Sequence, residues 1–154
     1  MTHIELSLSP SAPGVQHPPA PAPEATVTDP LELWAASVSA AEESCLVIDA
    51  DGVIVAASGP CARLFCLGQP FELMGRHLLD RQVLVLIDFT AAGNELGEAE
   101  REQIPPLLAL SSGRLARGLL RVRNSDASRT LDAISTPLRH HDAVVGSLTF
   151  FAVV

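Results

Sequence analysis

From Cys45 to Asp49 the chain is almost wholly apolar, Ala50-Asp51-Gly52 interrupts the run, and Val53 to Ala57 resumes it. Asp-Gly supplies the positive backbone dihedrals that a tight turn needs, so this pattern predicts two antiparallel strands joined as a hairpin. Leu46, Ile48 and Ile54 fall on one parity or its partner, and Val47, Val53 and Val55 on the other. A strand with one solvated face alternates apolar with polar residues; this one does not, so both faces of the hairpin are expected to be covered.

Upstream, Asp29-Pro30-Leu31-Glu32 combines an acidic N-cap, proline at the first helical position and a Glu three residues after the cap. That combination starts a helix, expected over residues 29–43, with Leu31, Trp34, Val38 and Ala41 along one face. Downstream, residues 60–67 read as a short helix and Phe71 to Met74 as another helical turn before Gly75. Leu78 to Ile87 is a continuous apolar stretch, read as helix running into extended chain. Gly97 to Glu102 opens an acidic helix whose first turn suits the helix dipole, and Ile104, Leu107, Leu108 and Leu110 continue its apolar side to Gly113. Pro105 and Pro106 lie too deep for an unbroken helix and demand a kink or a later start.

Three strands close the chain. Ala116, Gly118, Leu120 and Val122 alternate with Arg117, Leu119, Arg121 and Arg123. Asn124-Ser125-Asp126 makes a turn, and Arg129 to Arg139 forms the next strand, its alternation slipping between Ala133 and Ile134 as at a bulge. After His140-His141-Asp142, Val144 to Val153 forms the last strand, with Val144, Leu148, Phe150 and Ala152 assigned to the core and Val145, Phe151 and Val153 to the outer face.

At 154 residues the chain is one domain long, and about 110 folded residues bury roughly two thirds of their unfolded surface. Residues 1–28 hold half of the twelve prolines, in PSAPG and HPPAPAPEA, with no apolar period, and are expected to form a disordered Pro/Ala-rich arm ahead of a domain over residues 29–154. No apolar run approaches a membrane span and no secretory signal opens the chain, so a cytoplasmic protein without membrane contact is expected. The net charge is -8, with ten Arg and no Lys, a balance that repels phosphate backbones. The Arg-rich stretch from Arg114 to Arg123 lacks interleaved aromatic residues, and no nucleic-acid partner is expected. The absence of Lys and Tyr beside abundant Ala, Leu, Pro and Arg reads as the coding bias of a GC-rich, bacterial genome.

With these residues in place, the segment from Asp29 to Val154 resembles a PAS domain over about four fifths of the chain. The Cys45 to Ala57 hairpin is similar to the family's first two strands, and Ser58 to Phe65 to its first short helix. Phe71 to Asp80, containing Gly75-Arg76-His77, is similar to its glycine-and-basic stretch, and the last three strands, with the Val144 to Leu148 ending, to its closing meander. Ser58 stands where many members carry Asn. The resemblance implies an α+β fold: a five-stranded antiparallel sheet, order 2-1-5-4-3, with helices on one face around a small cavity and an N-terminal capping helix. Members sense small molecules, hold haem or flavin, or mediate association.

The flavin branch places a cysteine in the helix after the glycine-basic pair, and here Gly75-Arg76-His77 is followed by Leu78, so no flavin-cysteinyl adduct is expected. Haem-binding members draw an axial His from the long helix, and Glu98 to Ser112 contains none, so haem is not expected; the cofactor is left open. His77 remains as a candidate ligand or switch, while His140 and His141 sit in a turn. Cys45, Cys61 and Cys66 have neither redox nor zinc spacing, and no metal is expected. No nucleophile-base spacing or phosphate-cradling loop stands out, and the chain is read as no enzyme.

The resulting expectation is a stand-alone regulatory or signalling module acting through dimerisation or a protein partner. Its surface is assigned to Leu31, Trp34, Val38, Val47, Val55, Phe151 and Val153. The competing expectation is a small-molecule or cofactor sensor, its cavity lined by His77, Leu108, Leu120, Leu148 and Phe150.

Overall fold

The computed structural model describes residues 29–125 and 127–154, together with residue 14 and residues 18–21, which are exposed and without regular structure. The remainder of the arm expected over residues 1–28 lies outside the described residues. Asp29 caps the first helix, α1 (Pro30–Ser39), its Oδ1 accepting the Leu31 N–H at 3.0 Å. The expected reciprocal cap with Glu32 does not form, because the Glu32 N–H donates to the Asp29 carbonyl instead. The helix stops at Ser39 and not near residue 43. The Glu43 carbonyl is drawn to the buried Ser58 hydroxyl at 2.6 Å, which feeds the chain into the first strand.

The strands are β1 (Cys45–Asp49), β2 (Ile54–Ala57), β3 (Leu86–Ile87), β4 (Ala116–Asn124), β5 (Ala127–His140) and β6 (Ala143–Val153), and the helices after α1 are α2 (Gly59–Leu64), α3 (Glu98–Arg101) and α4 (Pro105–Ser112), with a single 3-10 turn at Pro70–Glu72. All strand pairs are antiparallel, in the order β2-β1-β6-β5-β4-β3. The expected five strands are therefore all present in the expected order, and the two-residue β3 adds a sixth at the far edge. The apolar stretch before β3 was expected to include a helix. It forms turns instead, because Leu78, Val83 and Leu84 are all buried in one cluster, and short turns let them reach it without a helix's period. The acidic helix breaks in two, and Pro105 takes the first position of α4, where its missing N–H costs nothing.

Both faces of the sheet are covered at the β1–β2 end. The inner face carries Leu46, Ile48, Ile54, Leu120, Val122, Leu131, Ala133 and Phe151 against α2, the loops after it and Ile104. The outer face carries Cys45, Val47, Ala56, Leu138 and Leu148 beneath Val38, Leu31 and Ala35 of α1. The expected facing of β6 is thus reversed: Phe151 is in the inner core, its ring 5.4 Å from Phe65 at 78°, whereas Leu148 and Phe150 point outward. The slip in β5 falls between Leu138 and Arg139, further along than expected. Hydroxyls also occupy the inner face, where Ser135 and Thr149 pair at 2.7 Å and Ser147 donates to the Pro106 carbonyl at 2.9 Å.

The glycine-basic stretch lies along the free edge of β2. Gly75 N–H donates to Ile54 O at 2.8 Å, Ile54 N–H to Arg76 O at 2.9 Å, and Leu78 N–H to Gly52 O at 2.9 Å. Gly52 turns the hairpin at φ +78°, and a Cβ there would sit 2.6 Å from His77 Nε2. Among the described residues no helix is long and apolar enough to cross a membrane.

Candidate functional site

The outer sheet face divides into a covered half and a bare half. α1 spends Leu31 and Val38 on the covered half, where Val47 is fully buried and Val55 packs alongside. These four expected surface residues belong to the helix-sheet seam. Across β5 and β4 the face is open: Phe150 (43% exposed) lies directly opposite Ile134 (37%), and Leu119 (53%) stands one row on. Trp34, on the flank of α1, is also exposed. Val153, expected on this face, is exposed at the end of β6 but lies opposite Leu131 and so on the inner side with Phe151. Ile134 and Leu119 were not recognised in the sequence, because each sits in a strand whose other face is also apolar; strict two-residue alternation counted from Leu120 or Leu131 would have found them.

On this bare half Arg117 and Asp132 form a two-pronged ion pair, Nε to Oδ1 at 3.1 Å and Nη2 to Oδ2 at 2.6 Å. The guanidinium holds the Asp132 carboxyl below its ordinary pKa and is itself raised. Arg123 and Arg81 both reach Glu95, at 3.2 and 2.6 Å, and Arg121 binds the carbonyls of Asp88 and Thr90. The Asp88 carboxyl is lowered chiefly by the Thr90 hydroxyl.

The five residues expected to line one cavity are dispersed. Leu108 and Leu120 border a slot of about 200 Å³ beside the β3–β4 edge. His77 lines a separate cleft of about 330 Å³ with Leu79, Leu107 and Leu110. Leu148 lies under α1 and Phe150 on the bare outer face, because their parity in β6 is opposite to that of Phe151. The space between sheet and helices is filled by the inner core itself.

The thiols and imidazoles do not fit a flavin adduct or an axial haem ligand. Leu78 is fully buried where the adduct needs sulfur. Burial pushes the Cys61 thiol up to about 12 and also raises Cys45, while Cys66 sits exposed at φ +60°. His77 Nδ1 accepts the Leu79 N–H at 3.1 Å, so that nitrogen is engaged outside the core. The His140 and His141 rings meet edge to face at 4.1 Å in a turn where His141 and Asp142 both have positive φ. Among the described residues no three His, Cys, Asp or Glu side chains gather as a metal would require.

Ser58, noted in the sequence only as a departure, organises the start of β1. Its hydroxyl accepts from the buried Cys45 N at 3.1 Å and Cys61 N at 3.2 Å while donating to the part-buried Glu43 O.

No protein-family model matches the chain, and no curated protein matches it either. Solved structures do. The PAS domain of a protein from Colwellia psychrerythraea is similar at a TM-score of 0.57 and 16% identity, over 82% of this chain and 98% of that one. The Rhodobacter sphaeroides LOV protein is similar at 0.59 and 19%, over 81% of this chain and 66% of its own. VqmA bound to DPO is similar at 0.56 and 18%, over 80% of this chain and 57% of that one. A further structure describes VqmA from Vibrio cholerae as a dimer.

Proposed function

We propose that this chain, whose fold is that of a PAS-like domain, is a regulatory signalling module that works by association, two copies meeting across the half of the outer sheet face that α1 leaves bare. The observation that carries this reading is the exposed cross-strand pair Ile134 and Phe150, with Leu119 beside it. Large apolar side chains grouped on a flat sheet are seldom left to solvent unless a partner covers them. A twofold arrangement lets the same patch meet itself, with Trp34 at its margin; Val153, opposite Leu131, has the inward parity of Phe151 and takes no part. Aromatic residues dominate interface energetics, which makes Phe150 and Trp34 the anchors.

A receptor reading receives less support. Its candidate residues divide between two spaces: the slot at Leu108 and Leu120 holds about 200 Å³, below the roughly 300–1,000 Å³ of ordinary ligand pockets, and the His77 cleft, at about 330 Å³, lies at the bottom of that range. No catalytic step belongs to the reading, and VqmA's ligand and target DNA are properties of that protein.

Sedimentation equilibrium is the test. Wild-type protein is expected to associate as a dimer, and Phe150→Glu combined with Trp34→Ala to sediment as a monomer with an unchanged circular dichroism spectrum. Wild-type protein that stays monomeric at every accessible concentration overturns the proposal.

A further inference from the structure

We infer that the edge of β4 at Arg117 and Leu119 is a docking site for an extended segment of a partner protein, which would pair with it as an added strand and place one large apolar side chain in the adjoining slot. The inference stands on backbone groups left without partners, independently of the bare outer face. Arg123 N–H donates to Val85 O at 2.9 Å, toward the β3 side. In an antiparallel ladder alternate residues direct their amide groups the same way, so Arg121, Leu119 and Arg117 also face that side. Arg121 is matched by Ile87. The next rung would join Leu119 to Phe89, but the chain has already turned away: Asp88 N–H donates to Asn94 O at 2.8 Å, and the Arg121 guanidinium holds the carbonyls of Asp88 and Thr90 at 3.2 and 2.8 Å. The N–H and C=O groups of Leu119 and Arg117 on this side have no hydrogen-bond partner among the described residues.

Water can satisfy these exposed groups one at a time, but a strand supplies the donors and acceptors together at that spacing, which is the basis of recognition by strand addition. The slot lies directly beside the missing rung, walled by Phe89, Leu96, Ile104, Leu108 and Leu120, with about 200 Å³ of space. A cavity of about 150 Å³ takes a benzene ring, so this one accepts a single large apolar side chain. Glu100 and Gln103 stand at its mouth with Arg117 and Arg121. Arg117 is neutralised by Asp132, whereas Arg121 among the described residues binds only carbonyl and hydroxyl oxygens and keeps its charge on the β4 side, with Glu100 of α3 carrying the opposite one. The fitting segment is therefore apolar at its centre, with an acidic side chain to meet Arg121.

The test uses the full chain and a capped pentapeptide of sequence Asp-Thr-Leu-Thr-Asp, with amide hydrogen exchange read by NMR on dilute protein. In free protein the Leu119 and Arg117 amides are expected to exchange at least tenfold faster than those of Gly118 and Leu120, which face β5, and the peptide is expected to slow them. The same peptide N-methylated at every second residue should lose affinity in one phase and keep it in the other. Leu119→Pro removes an edge donor that β5 does not use, and edge strands tolerate proline; it should weaken the peptide tenfold or more with an unchanged melting temperature. Leu108→Trp, which fills the slot, should do the same. Equal binding by both N-methylated phases, or no slowing by the peptide, overturns the proposal. So does a Leu119 amide already protected in free protein: protection lost on deleting residues 1–28 assigns the edge to the chain's own arm, and protection that follows protein concentration assigns it to a second copy.

Discussion

Phe150 and Phe151 are adjacent in sequence and identical in chemistry, yet replacing each in turn by alanine should give sharply different results. Phe151 is 6% exposed within the inner core, with its ring edge-on to Phe65. Truncating a buried phenylalanine costs about 3–5 kcal/mol, of which an edge-to-face pair contributes about 0.5–1.5 kcal/mol. Phe150 lies on the outer face, 43% exposed. Full burial of such a side chain is worth about 1.5–3 kcal/mol, so a half-buried one loses about 1 kcal/mol in the monomer. For a domain of this size 1 kcal/mol moves the melting temperature by roughly 3–5 °C. Phe151→Ala should therefore melt about 10–20 °C below wild type, and Phe150→Ala within about 5 °C of it. Thermal melts followed by circular dichroism, at two protein concentrations to separate subunit association from folding, measure both. A Phe150→Ala loss equal to or larger than that of Phe151→Ala in dilute protein would refute the facing of β6.

Gly52→Ala should destabilise by at least about 1 kcal/mol, since it needs both positive φ and the space taken by His77; in a double-mutant cycle His77→Ala should recover the steric part alone, and full additivity of the two changes refutes the clash. Ser58→Ala should cost about 1–3 kcal/mol in chemical denaturation, because it strands two buried backbone donors and releases the part-buried Glu43 carbonyl. A thiol reagent at neutral pH should label Cys66 alone in folded protein, and rapid labelling of Cys45 or Cys61 refutes their burial. Because the Cys61 pKa is raised on folding from 9.0 to about 12, the unfolded chain loses its proton first, so this thiol's contribution to stability should fall as pH rises from 9 toward 12, and Cys61→Ala should flatten that slope.

What the sequence made legible was mostly local. Asp51-Gly52 specifies its turn by backbone sterics, and Pro105 marks the start of α4 because a missing N–H is harmless only there. The three closing strands announced themselves by length and by the turns between them. Facing was harder. In β6 both parities are apolar, and period two says that Phe150 and Phe151 point apart without saying which points inward. That choice is made by α1 and Phe65, elements remote in sequence. The same blindness hid Ile134 and Leu119, whose exposure depends on how far α1 reaches across the sheet. The stretch from Leu78 to Ile87 misled because continuous apolar character fits a buried turn as well as a helix. Ser58 was visible as a residue but not as a hub, since its three partners come together only after β1 and α2 are in place.

The segment from Gly75 to Leu78, hydrogen-bonded along β2, also bears on how this protein would aggregate. Growth of a cross-β fibre requires each molecule to receive a strand on one edge and donate one from the other, so that pairing propagates. Here one edge is met by the chain's own glycine-basic loop, and at the opposite edge β3 is matched by residues 94–96, leaving, among the described residues, the short reach at Leu119 and Arg117. A folded molecule could cap such a polymer but not lengthen it. Amyloid-like growth from this chain would have to begin with the loop's release, and conditions that loosen Gly75–Leu78 without unfolding the core are those under which the protein should turn from a terminator into a substrate.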